Sequence, residues 1–290
     1  MEPLLYSLAR GLLALLQSLS LESAARLGRA CGVLAYWVDA RHRRVALRNL
    51  TMCFGREKSP AELRALAREN FRRIGENLAC AAKTAAMSFE ELRPRVEFVG
   101  DARIVSPPAD RQPQGVVAAI GHFGNFELYA RFGQFAPAFK CATTYRGLRQ
   151  PSLNRLLQSL RGRSGCLYFE RRFDAPALKA FMNQPGVILG LLCDQSGGAV
   201  RGPFLGQDCS TTASPAVFAL RYHCALIIGV CYRVSLAHWR IEAGPEIPTH
   251  QDGHPRPTAD ITRDINRAFE AAVLRDPAIR SCGNCARWDS

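Results

Sequence analysis

The chain has 290 residues, of which 48% are hydrophobic and 22% charged. That length and balance suit one large globular domain or two small ones, and exclude collagen, coiled coil or global disorder. With 38 basic and 25 acidic residues the formal charge is +13, a surplus that favours anionic partners: phospholipid headgroups, phosphorylated substrates, an acidic carrier protein or nucleic acid.

In chain order, the first unusual stretch is the N-terminus. Leu4, Leu5, Leu8, Leu12, Leu15, Leu16 and Leu19 recur at three- and four-residue steps, which predicts a helix with a broad apolar face. Arg10 and Gln17 interrupt it, and the uncharged run from Gly11 to Leu21 is too short to span a bilayer. A second apolar patch with Tyr36 and Trp37 precedes Arg41-His42-Arg43-Arg44 and Arg48. Apolar helix, interfacial aromatics and an arginine cluster are what a helix lying in an anionic membrane surface needs. Residues 60–86 read as a long helix opened by Pro60. Val96–Val99 reads as a strand, and a proline-rich loop from Ser106 to Gln114 follows it.

From residue 115 short apolar runs alternate with helical segments. Val116–Ile120, Cys141–Tyr145, Gly186–Leu192, Leu226–Tyr232 and Trp239–Ala243 read as strands. Helices are expected from Pro151, over Ala175–Met182, from a Ser214-Pro215 cap to His223, and through Ile261, Ile265, Phe269 and Ala272. This alternation predicts an α/β fold: a mostly parallel or mixed central sheet flanked by helices, with N-terminal membrane-associating helices. The cysteines are scattered and read as buried thiols. Only Cys282-Gly-Asn-Cys285 has ligand spacing, and it lacks the second pair a structural zinc needs, so no metal is expected.

The sharpest motif is Gly121-His122-Phe-Gly124-Asn125-Phe-Glu127, directly after a buried strand. On one continuous helix a five-residue step turns about 500°, so His122 and Glu127 would diverge. They converge if His122 lies in the loop and Glu127 in the first turn of a helix capped by Asn125. A carboxylate beside the imidazole would hold one tautomer and stabilise the cation formed on proton uptake, making His122 a general base for a hydroxyl. The strand at 186–192 ends in a second polar loop, Cys193-Asp194-Gln195, and such strand ends are where open α/β sheets bind ligands. No Gly-x-Ser-x-Gly elbow, phosphate loop or His-Glu-x-x-His is present, so a base without a protein nucleophile implies direct attack by the acceptor's hydroxyl or by water.

With these motifs in place the chain resembles the bacterial late acyltransferases of lipid A biosynthesis, the lauroyl/myristoyl transferase group with a His-x4-Asp/Glu motif. The resemblance runs through Arg43-Arg44…Arg48-Asn49-Leu50, Cys53-Phe54, the His122 block, Tyr145-Arg146, Arg163, Asp194-Gln195, Gly202–Gly206, Thr211-Thr212…Ser214-Pro215, Tyr232-Arg233 and Arg287-Trp288. Phe126 stands where the family commonly has Trp, and the ending Ser281–Trp288 is altered. The resemblance implies transfer of a fatty acyl chain from acyl carrier protein or coenzyme A to a hydroxyl of a lipid A precursor at the cytoplasmic face of the inner membrane. No cofactor is expected, and without an aromatic-interleaved basic motif no nucleic-acid partner is expected either. The resemblance makes His122 the base and Glu127 its partner, with Arg163, Asp194, Arg146, Gln195 and Asn125 binding substrate. Residues 1–50 then form a membrane-associating helical segment and 51–290 the acyltransferase domain. The rival expectations are a lysophospholipid or other glycolipid acceptor, or a hydrolase or thioesterase activity.

Overall fold

A computed structural model describes residues 2–100, 113–195 and 197–279. Cys282, Cys285, Arg287, Trp288 and most of the proline-rich loop lie outside these residues.

Four helices open the chain: α1 (Glu2–Ser18), α2 (Leu21–Val38), α3 (Ala40–Phe54) and α4 (Pro60–Thr84). Each boundary has a local chemical cause. Ser20 caps α2, Asp39 caps α3, and Ser59 forms a reciprocal capping box with Glu62 ahead of Pro60. Arg43 donates to the terminal carbonyls of Tyr36 and Trp37 at 2.7 and 2.8 Å, satisfying groups that the end of α2 would leave unpaired. Helices α2 and α4 approach closely because both carry glycine at the crossing; a Cβ on Gly28 would sit 2.3 Å from the Gly75 carbonyl oxygen. Beside that crossing Glu76 is fully buried and saturated: Arg29 and Arg233 each reach it at 2.9 Å, and the Ala237 N–H donates at 3.2 Å. This single carboxylate ties α2 and α4 to the hairpin of the sheet that carries Arg233 and Ala237. Helix α1 differs from its neighbours in burying no residue, and Leu4, Leu5, Leu8, Leu12 and Leu15 are exposed along it.

After a short helix α5 (Phe89–Leu92) the sheet begins. Its strands are β1 (Val96–Val99), β2 (Val116–Ile120), β3 (Lys140–Tyr145), β4 (Leu167–Glu170), β5 (Val187–Leu192), β8 (Ala225–Ser235) and β9 (His238–Ala243), in the spatial order β1-β9-β8-β2-β5-β3-β4. Neighbours are parallel except the β8–β9 hairpin, so the expected mostly parallel α/β sheet is what the chain forms. The central β2 is buried along its whole length, as a strand covered on both faces must be. One face (Val117, Ala119, Leu189, Leu226, Ile228) packs with residues of α3, α4, α8 (Ala175–Met182), α9 (Ser214–Tyr222) and α10 (Thr258–Arg275). The other (Val116, Ala118, Ile120, Ile188, Ile227) faces α6 (Phe132–Phe135) and the Ala136 and Phe139 that follow it.

Four local features depart from the sequence-based expectations. A small hairpin, β6 (Val200–Phe204) with β7 (Gln207–Thr211), lies between β5 and α9 and pairs in its own two-stranded sheet. β10 (His250–Gln251) and β11 (His254–Pro255) form another. Leu167–Glu170 adds a further edge strand, β4, paired in parallel with β3. At α9 Ser214 is the first helical residue rather than the cap; Thr212 Oγ1 accepts from its N–H at 3.2 Å, doing the work assigned to the serine.

Candidate active site

The site is built at the carboxyl end of β2. Phe123 is fully buried with its ring edge-on to Phe269, centroids 5.3 Å apart, and so anchors the loop into the core. The turn that permits this is tight, Phe123 N–H donating to the Gly121 carbonyl at 2.7 Å. A Cβ on Gly121 would lie 2.5 Å from the Phe123 ring, and Gly124 adopts φ +53°, so both glycines are needed for the geometry. Between them His122 is held at the wall of a cavity of about 870 Å³.

The partner of His122 comes from the neighbouring strand. In the β2–β5 ladder Ile120 is paired with Leu192, and continuing that register two residues past the strand ends sets His122 opposite Asp194. The Cys193 N–H donates to the Ile120 carbonyl at 3.0 Å and extends the ladder toward the loop. His122 Nδ1 lies 2.8 Å from Asp194 Oδ1, and Asp194 is only 3% exposed. An ionised carboxylate only accepts, so the bond requires the proton on Nδ1 and leaves Nε2 with its lone pair. Phe126 packs edge-on to the imidazole, with centroids 4.7 Å apart.

The expected contact between His122 and Glu127 is therefore replaced by two separate pairs. Residues 126–131 form a 3₁₀ helix rather than an α-helical turn, and Glu127 on it is paired with Arg161 at the end of α7 (Pro151–Arg161). Arg161 donates through Nη2 and Nε to the two carboxylate oxygens at 2.6 and 3.2 Å, and its guanidinium lies over the Tyr168 ring at 5.1 Å. Burial disfavours the Arg161 cation, but the Glu127 bond and charge outweigh burial, so its pKa is raised. His122 and Glu127 still face one cavity, each held by its own partner.

Of the other sequence-derived candidates, Gln195 and Arg146 line the cavity from exposed positions at its rim. Asn125 is buried at the start of the 3₁₀ helix without the capping bond expected of it. Arg163 is exposed and does not line the cavity; its carbonyl accepts from the buried Arg131 at 2.9 Å. Arg161 was not singled out in the sequence, where only its neighbourhood (Arg161-Gly-Arg163) marked the segment. The cavity cysteines are poor nucleophile candidates. Burial pushes Cys141 up to about 12, and Cys166 is also raised mainly by burial. Among the described residues no group of three His, Cys, Asp or Glu is placed to hold a metal ion.

The arrangement has the parts of a base-assisted transfer site: an imidazole oriented by a buried carboxylate, a clamped guanidinium, and an adjoining floor of apolar side chains. A family model described as bacterial lipid A biosynthesis acyltransferase matches residues 3–279. A search of curated proteins finds no match. The match spans nearly the whole chain, and the chain belongs to that family.

Proposed function

As a member of the lipid A biosynthesis acyltransferases the chain is an acyl-transferring enzyme, and we propose that it moves a long-chain fatty acyl group from an acyl carrier protein or coenzyme A thioester to a hydroxyl of a lipid A precursor. The observation that carries this reading is the His122–Asp194 pair at the wall of a cavity with an apolar floor. His122 Nε2 takes the proton of the acceptor hydroxyl as its oxygen attacks the thioester carbonyl, and Asp194 stabilises the imidazolium. Collapse of the tetrahedral intermediate forms the ester, breaks the C–S bond, and returns the proton from His122 to the departing sulfur. The positive charge of Arg161, fixed by Glu127, favours the developing oxyanion or an acceptor phosphate. The rim arginine Arg146 and the nearby Arg163 suit phosphate groups of the acceptor.

The enzyme works at a membrane surface in this proposal, the cytoplasmic face of the inner membrane. No helix among the described residues is long and apolar enough to cross a membrane. The exposed leucines of α1 and the exposed Arg41 and Arg44 suit an interfacial helix beside anionic lipid. Glu2 accepts from the Ser152 hydroxyl at 2.7 Å, holding the start of α1 against α7, the helix that ends in Arg161. Residues 1–50 thereby serve as the surface-seeking segment and the remainder as the catalytic domain.

The test is transfer by the purified protein from an acyl carrier protein or coenzyme A thioester to a lipid A precursor, with the new ester identified by mass spectrometry. Preferential acylation of a lysophospholipid would change the acceptor. Acyl release without acceptor, faster than transfer with it, would make the protein a thioesterase.

A further inference from the structure

We infer that Gly229 is the length gate of the acyl-chain channel, and that the side chain at this position decides how long a chain the enzyme accepts. The inference rests on the acyl-transfer reading of the cavity and deepens it. Strand register lays the cavity floor in rows. Leu192, Ile120, Gly229 and Ala243 are successive Cα partners across β5, β2, β8 and β9, and all four line the cavity. At the usual strand spacing that row spans roughly 14 Å. Phe98 and Phe132 line the cavity beyond it; their ring centroids are 5.1 Å apart, and Phe98 also meets Phe135 at 4.4 Å, an aromatic stop at the β1 edge of the sheet.

Gly229 is the one residue in this row without a side chain. It lies beneath Tyr129, whose hydroxyl donates to the Gly229 carbonyl at 3.2 Å and accepts from the Cys231 N–H at 2.9 Å, so roof and floor are fixed to each other here. A Cβ at position 229 would stand 2.9 Å from Ile120 Cγ2 and 3.8 Å from the Tyr129 ring. It would enter the space through which the cavity passes from the His122 side to the Phe98 side. Glycine in a buried strand weakens it and calls for a reason, and Gly229 has no left-handed φ to supply one. The close approach of Ile120 Cγ2 supplies part of it, and the same bare backbone keeps the space between the cavity-lining Ile120 and Tyr129 open to a ligand. A chain long enough to pass Gly229 needs the bare backbone, whereas a short one stops at Ile120.

The experiment measures displacement of a bound fluorescent long-chain fatty acid by saturated fatty acids from octanoate to stearate, using the full chain and the variants Gly229→Ala, Gly229→Val and Phe98→Ala. Gly229→Val is expected to weaken stearate and palmitate at least about tenfold while octanoate competes as before, the discrimination a methylene or two confers in an apolar pocket. Gly229→Ala is expected to give a smaller shift in the same direction. Phe98→Ala is expected to favour the longest acids. Equal weakening at every length, or no change for the long acids, would overturn the proposal. If Gly229→Val does not fold, Gly229→Ala and Phe98→Ala carry the same test. Length-graded binding in a protein that transfers no acyl group would sink the acyl-transfer reading alone; transfer with no length effect in the variants would sink only the gate.

Discussion

Two carboxylates are buried to nearly the same degree in this protein, and they differ in what surrounds them. Glu76 is fully buried and saturated by two arginines and a backbone N–H, and it does not line the cavity. Asp194 is 3% exposed, and its partners include the His122 imidazole, which itself lines the cavity. Two arginines around a buried acid make a fixed joint, because a guanidinium keeps its charge and breaking either bond strands a buried ion. An imidazole beside a buried acid is held in one tautomer and can pass a proton to and from a substrate. Burial alone therefore does not mark a reactive acid; the nature of its partner does.

Substitutions can break or sharpen this contrast. The largest effect is expected at the cavity pair: His122→Ala should lower acyl transfer by about 10²–10⁴-fold with an unchanged melting temperature, and Asp194→Asn should fall in the same range. Steady-state turnover with thermal unfolding of the same samples checks both, and wild-type turnover in His122→Ala would end the catalytic assignment. Glu76→Gln should do the reverse. It leaves Arg29 and Arg233 without their shared acid and should cost about 3 kcal/mol of stability by denaturant titration, with turnover per folded molecule retained. A mid-sized effect is expected for Glu127→Gln, which frees Arg161 and should lower kcat/KM by about 10²-fold through misplacement.

The smallest effect is a pH dependence at Glu69. Burial raises its pKa, but hydrogen bonds and charge from Arg29 and Arg73 more than offset that, leaving it lowered from 4.5. A carboxylate lowered on folding adds stability that is present above its unfolded pKa and lost as pH falls through the folded one. Unfolding midpoints measured below about pH 4.5 should therefore drop less steeply in Glu69→Gln than in wild type.

How much could be read from sequence differed between elements for identifiable reasons. Helix α4 announced itself through Pro60 and the spacing of Leu63, Leu66, Ile74, Leu78 and Ala81, because capping and helical periodicity are local properties. The buried strands β2 and β5 were visible as uninterrupted apolar runs bounded by glycine. Edge strand β4 does not stand out in the sequence, since none of its residues is fully buried and its pattern is mixed. The β6–β7 hairpin carries Gly202, Pro203 and Gly206, residues that read as loop until a partner strand is known.

The sequence by itself determined the alternating α/β order, the position of His122 beyond a buried strand, the apolar face of α1 and the family. All of these rest on residues close together in the chain or on ordered motifs. Only the tertiary structure decided which acid serves His122. Glu127 is five residues away and Asp194 seventy-two, yet the parallel register of β2 with β5 brings the distant one within 2.8 Å, while Arg161 claims the near one. Hydrogen bonding across a sheet joins strands by their register, and that register is invisible in the spacing of residues along the chain.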